Sequence, residues 1–216
     1  MFDITILFKY TQPLLEGLWT TAWISFLSIF IGFFLGLYLY ALGKSNNNAI
    51  KMLARIYISF FRGTPLLVQL VIVFYLLPLL HIDIPPIFAA IITLSMNTAA
   101  FQAEILRGGF SAIPKGQDES CWVLGLTGLQ GFFYVKLPQV IKTTVPALIN
   151  ESIDIIKNSS LISTISVMDL MRIVQTYSST TYRPLEFFVA AGLLYLVLTS
   201  IVNFFGAYIE KKLNVY

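Results

Sequence analysis

Three ionisable residues, Glu151, Asp154 and Lys157, follow one another at spacings of three within a stretch otherwise apolar enough to lie in a membrane. On a helix that spacing sets them along one face. Ionisable groups at membrane depth are expensive, and they face a partner, a cavity or a water path. Two chemistries are therefore open. The trio can neutralise itself as a ladder, or it can line a translocation cavity and offer carboxylates to a solute's ammonium and an ammonium to its carboxylate. Asp154 is the sharper candidate for solute contact, since a cationic or zwitterionic solute would offset the desolvation of its charge. Asn97, Thr98 and Gln102 lie in an earlier apolar run. They either complete such a cavity or hydrogen-bond between helices. Glu104, with Arg107 one turn away, reads as an ion pair that fixes the following loop.

Enzymatic chemistry finds little support. His81 is the sole histidine, beside Asp83 in a loop, and reads as a surface residue. There is no HExxH, no serine paired with that histidine, and no carboxylate pair on facing spans. Cys121 is the sole cysteine, so an internal disulfide and a Cys/His metal cluster are both excluded. Gly43-Lys44-Ser45 ends like a phosphate-binding loop, but that motif needs glycine where Tyr38 stands. Asn158-Ser159-Ser160 fits a glycosylation acceptor and is discounted because it lies in or near a span.

The composition says what must position these residues. Of 216 residues, 57% are hydrophobic and 12% charged, which excludes an ordinary soluble domain. The net charge of +3 is too small and dispersed for nucleic acid and reads as topology information. No basic region precedes an apolar run and cleavage site at the N-terminus, so no signal peptide is expected. Five apolar runs follow, about Gly17–Gly43, Leu53–Leu80, Ile87–Leu106, Ile141–Val167 and Phe187–Ile209. Each is long enough to cross a hydrocarbon core of about 30 Å as a helix. In the first, Ser28, Gly32 and Gly36 form a small-residue ridge that predicts close packing with a neighbouring helix of the same subunit or of a dimer partner. In the second, Arg62-Gly63-Thr64-Pro65 predicts a break, since proline removes a donor and clashes with the preceding turn.

Five spans put the termini on opposite sides. With the N-terminus outside, the inner side receives Lys44, Lys51, Arg55, Arg62, Arg107, Lys115, Lys136, Lys142, Lys211 and Lys212, while the outer side keeps Lys9, Arg172 and Arg183. That asymmetry predicts N-out, C-in. The stretch from Gln117 to Pro138 is then cytoplasmic. Asp118 and Glu119 suit the first turn of a short helix, Gly125 suits a left-handed cap, and Phe132, Phe133 and Tyr134 suit an interfacial segment leading to Leu137 and Pro138. The outer segments near Asp169, Arg172 and Arg183 are where an external partner would land.

This stretch also carries a motif. Glu119-Ser120-Cys121, three residues, Gly125, nine residues, then Val135-Lys136-Leu137-Pro138 resembles the EAA signature of permeases of ATP-binding-cassette (ABC) importers, with two alanines replaced by the small Ser120 and Cys121. FRGTPLLVQL at Phe61–Leu70, AFQAEILRGGFSAIPKGQ at Ala100–Gln117, LPQVIK from Leu137 and KNSSLIS at Lys157–Ser163 are similar to the polar amino acid uptake permeases. Within that family Glu151 and Lys157 look typical, whereas the position of Asp154 looks commonly apolar. The resemblance covers about Gly17 to Lys212. It implies a single transmembrane permease domain over residues 1–216, with an ATPase-coupling loop at about 108–138, in a bacterial inner membrane. Glu119, Ser120, Cys121, Gly125, Leu137 and Pro138 would be the coupling residues. The partners implied are two ATPase subunits that hold the ATP and magnesium, a second permease copy or paralogue, an extracytoplasmic amino acid-binding protein and the amino acid itself. No cofactor or metal is expected in this chain.

The reading is an all-α membrane protein with five transmembrane helices, the type I ABC importer permease fold, and ATP-driven uptake of a polar amino acid by alternating access. An ion-gradient-driven secondary transporter and an intramembrane enzyme are the alternatives. The former is disfavoured by five spans without an internal repeat.

Overall fold

The computed structural model describes residues 5–214, and every regular element among them is helical. Residues 1–4, on which the reading of the N-terminus partly rests, and 215–216 lie outside that range. A short α1 (Thr5–Lys9) precedes the long α2 (Thr11–Gly43). The remaining helices are α3 (Asn48–Gly63), α4 (Leu66–Leu79), α5 (Pro86–Ser111), α6 (Gly116–Val123), α7 (Gly128–Gln130), α8 (Leu137–Asn158), α9 (Leu170–Thr181) and α10 (Pro184–Asn214). A π-helical turn, Gly131–Lys136, joins α7 to α8, and a 3-10 segment, Ser159–Ile165, follows α8.

Helices α2, α5 and α10 are each long and apolar enough to cross a membrane, and α3 with α4 make a fourth such unit if the bent pair is one span. Helix α8 is also long, at 22 residues, but Asn150, Glu151, Asp154 and Lys157 make it too polar to qualify on composition. The apolar run beginning at Ile141 continues to Val167, yet the α-helix stops at Asn158 and the chain tightens into the 3-10 segment. Apolar content signals burial, and burial alone does not prolong a helix.

The small-residue ridge does what its spacing predicts, within one subunit. A Cβ at Gly32 would lie 2.2 Å from Thr98 Cγ2 and 3.1 Å from the Ser95 carbonyl, and one at Gly36 would lie 3.0 Å from the Ala99 carbonyl. Gly32 and Gly36 thus seat α2 directly on the backbone of α5, and Ser28 is fully buried. Thr93, Ser95, Thr98, Ala99, Ala100 and Ala103 of α5 are almost fully buried in turn. Close backbone approach replaces the hydrophobic drive that two helices lack in lipid. Elsewhere, Gly109 of α5 fits against Thr144 of α8, and Gly206 of α10 against Ile149 of α8. The polar α8 is therefore held between the two apolar spans.

Candidate functional site: a broken span, a polar cavity and a loop helix

Helices α3 and α4 meet at 111° across Thr64 and Pro65. A bend of this kind frees backbone carbonyls that, inside a membrane, the protein itself has to satisfy. Gln69, only 2% exposed, supplies the missing donor: its Nε2 donates to Phe61 O at 2.9 Å, to Thr64 O at 3.0 Å and to Thr64 Oγ1 at 2.8 Å. Asn97 of α5 donates to Gln69 Oε1 at 2.9 Å and to Phe61 O at 3.3 Å. Tyr57 of α3 donates to Met96 O at 2.9 Å, a second tie between α3 and α5. Just before the break, Arg62 lies 3.7 Å from Glu104, which also accepts from Arg107 Nε at 2.9 Å. The Glu104–Arg107 pair expected from spacing is present, and Arg62 joins it.

Beside this node a cavity of about 300 Å³ is lined by Thr64, Asn97, Phe101, Glu151, Asp154 and Asn158, with apolar side chains closing the rest. The cavity brings together three of the residues singled out by type. Glu151 is 9% exposed, whereas Asp154 is open and pairs with Lys157 at 2.6 Å. Asp154 thus faces both roles at once, half of an ion pair and part of the cavity wall. Lys157 does not line the cavity except through that pair. Thr98 does not line it at all. It is fully buried against Gly32 and accepts from Gln102 Nε2 at 3.0 Å. Asn97, although on the wall, has its amide engaged by the helix break.

At one end of the bundle, α6 forms with Asp118 and Glu119 in its first turn and stops at Gly125, whose φ of 70° is the left-handed conformation anticipated there. Gly125 N–H donates to Trp122 O and Leu126 N–H to Cys121 O, both at 3.0 Å, which completes a Schellman cap. The next turn opens on a reciprocal box that the residue-by-residue reading missed: Thr127 Oγ1 accepts from Gln130 N–H while Gln130 Oε1 accepts from Thr127 N–H. The signal was the T-x-x-Q pattern. Pro138 sits in the first turn of α8, directly after the π-helical turn.

The residues that the resemblance assigns to coupling divide between two surfaces. Glu119 and Ser120 are exposed, with Trp122 and Val123 at 86% and 87%. Cys121 faces the other way and is buried, 3.2 Å from where a Cβ on Gly131 would stand. It belongs to the internal seam of the loop rather than to an outer contact face. An Asp118–Lys136 ion pair closes the same seam. Above it, Tyr40 of α2 stacks on Phe110 of α5 at 5.0 Å, and Phe110 stacks on Phe132 at 5.9 Å. The loop is thus tied into the ends of three long helices.

Asp169 is fully buried and caps α9, with Oδ1 accepting from Arg172 N–H at 3.0 Å and Oδ2 from Met171 N–H at 3.2 Å, so of the segment expected to meet an outer partner only its neighbours, such as Met168, are exposed. Burial pushes its carboxyl up to about 6, against the backbone N–H donors and Arg172, which lower it.

A helical bundle with a bent helix pair, a polar cavity and a projecting loop helix suits a membrane-embedded transport subunit. Residues 12–215 match the family described as binding-protein-dependent transport system inner membrane component, and the chain belongs to that family. It is 40% identical over 202 residues to the arginine transport system permease protein ArtQ of Bacillus subtilis (strain 168), covering 93% of this chain and 92% of the relative. The L-cystine transport system permease protein TcyL of the same organism is 36% identical, with 99% and 92% covered. A crystal structure of an amino acid ABC transporter with histidines superposes with a TM-score of 0.92 at 35% identity, covering 98% of this chain and 99% of its own. An inward-facing methionine ABC transporter, MetNI, shares the fold with a TM-score of 0.77 at 23% identity and 94% and 96% coverage. The chain is accordingly an all-helical importer permease subunit and not an enzyme.

Proposed function

We propose that this chain is the transmembrane subunit of an ABC importer for a polar amino acid, working by alternating access in the bacterial inner membrane. In this reading α2, the α3–α4 pair, α5, α8 and α10 are five spans arranged N-out, C-in. A second permease copy or paralogue completes the pathway, two ATPase subunits dock from the cytoplasm, and an external binding protein delivers the solute. The names of the relatives, transport systems for arginine and L-cystine, support a polar amino acid as the substrate class. The cavity's chemistry is consistent with that class, since Glu151 and Asp154 can meet an ammonium and Asn97 and Asn158 are polar neighbours.

The single observation that carries the coupling is the two-sidedness of α6. Its inner side is fixed to the π-helical turn that runs into α8, through Cys121–Gly131 and Asp118–Lys136, while Glu119, Ser120 and Trp122 stay open on the outer side. A partner gripping the open side moves α8, and α8 carries Glu151 and Asp154. Co-purification with tagged protein and uptake by the Glu119→Arg variant test this. The expected result is recovery of an ATPase with the native chain and loss of uptake in the variant. No ATPase in the eluate together with full uptake by Glu119→Arg would end the proposal.

A further inference from the structure

We propose that the cationic cavity at the loop end of the bundle is a binding site for the headgroup of an anionic phospholipid. The cavity, about 900 Å³, lies between α2, α3 and α5, and its lining holds five cations, Lys44, Lys51, Arg55, Arg62 and Arg107, with Glu104 as the one acid. Glu104 is already engaged by Arg107 and Arg62. Lys44 rests 5.9 Å over the Tyr40 ring, and Lys51 and Arg55 have no acidic partner among the described residues. The surplus positive charge has no counterpart within the described chain.

Helix α3 explains how the cations gather. Lys51, Arg55 and Arg62 recur at spacings of four and seven, which is one face of a helix. A second face, Ala54, Tyr57 and Phe61, packs on the protein. The third, Met52, Leu53, Ile56 and Phe60, is apolar and between 46% and 65% exposed. A phosphodiester suits the first face, because guanidinium forks bind its oxygens in pairs and an ammonium adds a point charge. A free phosphate would use only that face. A phospholipid uses both, with its phosphate among the cations and its acyl chains along the apolar face, and this distinction selects the lipid. Basic pockets between helices at a membrane surface recognise anionic headgroups by the same means. Tyr40, on the cavity wall, heads the aromatic stack leading to Phe132, which fixes the cavity at the coupling-loop end. Only the choice of leaflet, the cytoplasmic one, rests on the proposed topology.

The test uses the assembled transporter in nanodiscs of phosphatidylcholine doped with phosphatidylglycerol, with bound lipid read by native mass spectrometry. The native chain is expected to retain phosphatidylglycerol over phosphatidylcholine, and Lys51→Gln with Arg55→Gln to lower that retention on the order of tenfold. The exchange Lys51→Arg with Arg55→Lys should preserve it. The native chain alone decides the first point even if a variant folds poorly: equal retention of the two lipids overturns the proposal. It is also overturned if the Gln variants retain phosphatidylglycerol as the native chain does, or if millimolar inorganic phosphate displaces the lipid and occupies the site in its place.

Discussion

Asn97 of α5 donates to the Gln69 side chain of α4 at 2.9 Å, and Gln69 passes its own donors to the carbonyls of Phe61 and Thr64 at 2.9 and 3.0 Å. Two amides on different helices thereby close a backbone break that lipid could not tolerate. Gln69→Leu removes the donor, leaves the Thr64 carbonyl without a partner, and reduces Phe61 O and the Asn97 amide to the 3.3 Å bond between them. The expected cost is about 1–3 kcal/mol for each group left unsatisfied, read as a lower unfolding midpoint in detergent. An unchanged midpoint would mean that water reaches the break.

Asp154 is divided between Lys157 and the cavity, and the two roles respond differently to substitution. Asp154→Asn should weaken uptake of a cationic amino acid relative to a neutral one on the order of tenfold, about 1.4 kcal/mol. Lys157→Gln, which frees the Asp154 carboxylate, should shift preference the other way. Competition assays in proteoliposomes with paired substrates measure both. A ranking indifferent to both changes leaves the pair a structural ladder.

Gly32 and Gly192 make a matched comparison. A leucine at Gly32 would drive its Cβ to 2.2 Å from Thr98 Cγ2, while nothing lies within 4 Å of a Cβ at Gly192. Gly32→Leu should therefore destabilise the chain by about 1–3 kcal/mol through overpacking. Gly192→Ala should be neutral or stabilise α10 by about 0.5–1 kcal/mol. Thermal unfolding of the two variants side by side checks the contrast.

Asp169 ties stability to pH. Its carboxyl titrates at about 6 in the folded chain against an ordinary 3.8, so the native state holds the proton more tightly than the unfolded one. Stability should therefore be greatest below the lower value, fall as pH rises through that interval, and level off above it. Asp169→Asn keeps one of the two cap bonds, through its single amide oxygen, removes the titrating group and should flatten that dependence, at some cost in stability at every pH. Melting curves across this pH range, compared with the native chain, show whether the slope disappears.

What could be read from residues alone was local. The small-residue ridge, the break at Arg62 to Pro65, the left-handed Gly125 and the place of Pro138 all follow from backbone sterics within a few positions. The polar contacts that assemble the site were not legible in the same way. Asn97 and Gln69 stand 28 positions apart, and nothing in either neighbourhood specifies the other. Type alone suggested Thr98 for the cavity, but the face of α5 that carries it is turned to Gly32. Asp169 served only to mark an outer segment, and its burial as a cap was hidden because it depends on where α9 begins, after an uninterrupted apolar run.

The chain's single thiol is Cys121, on the face of α6 that closes against Gly131. A soluble alkylating reagent could reach it only while that seam is parted. The rate at which the unmodified protein takes up such a label is therefore a stopwatch for the loop, already installed at its hinge and requiring no engineered probe.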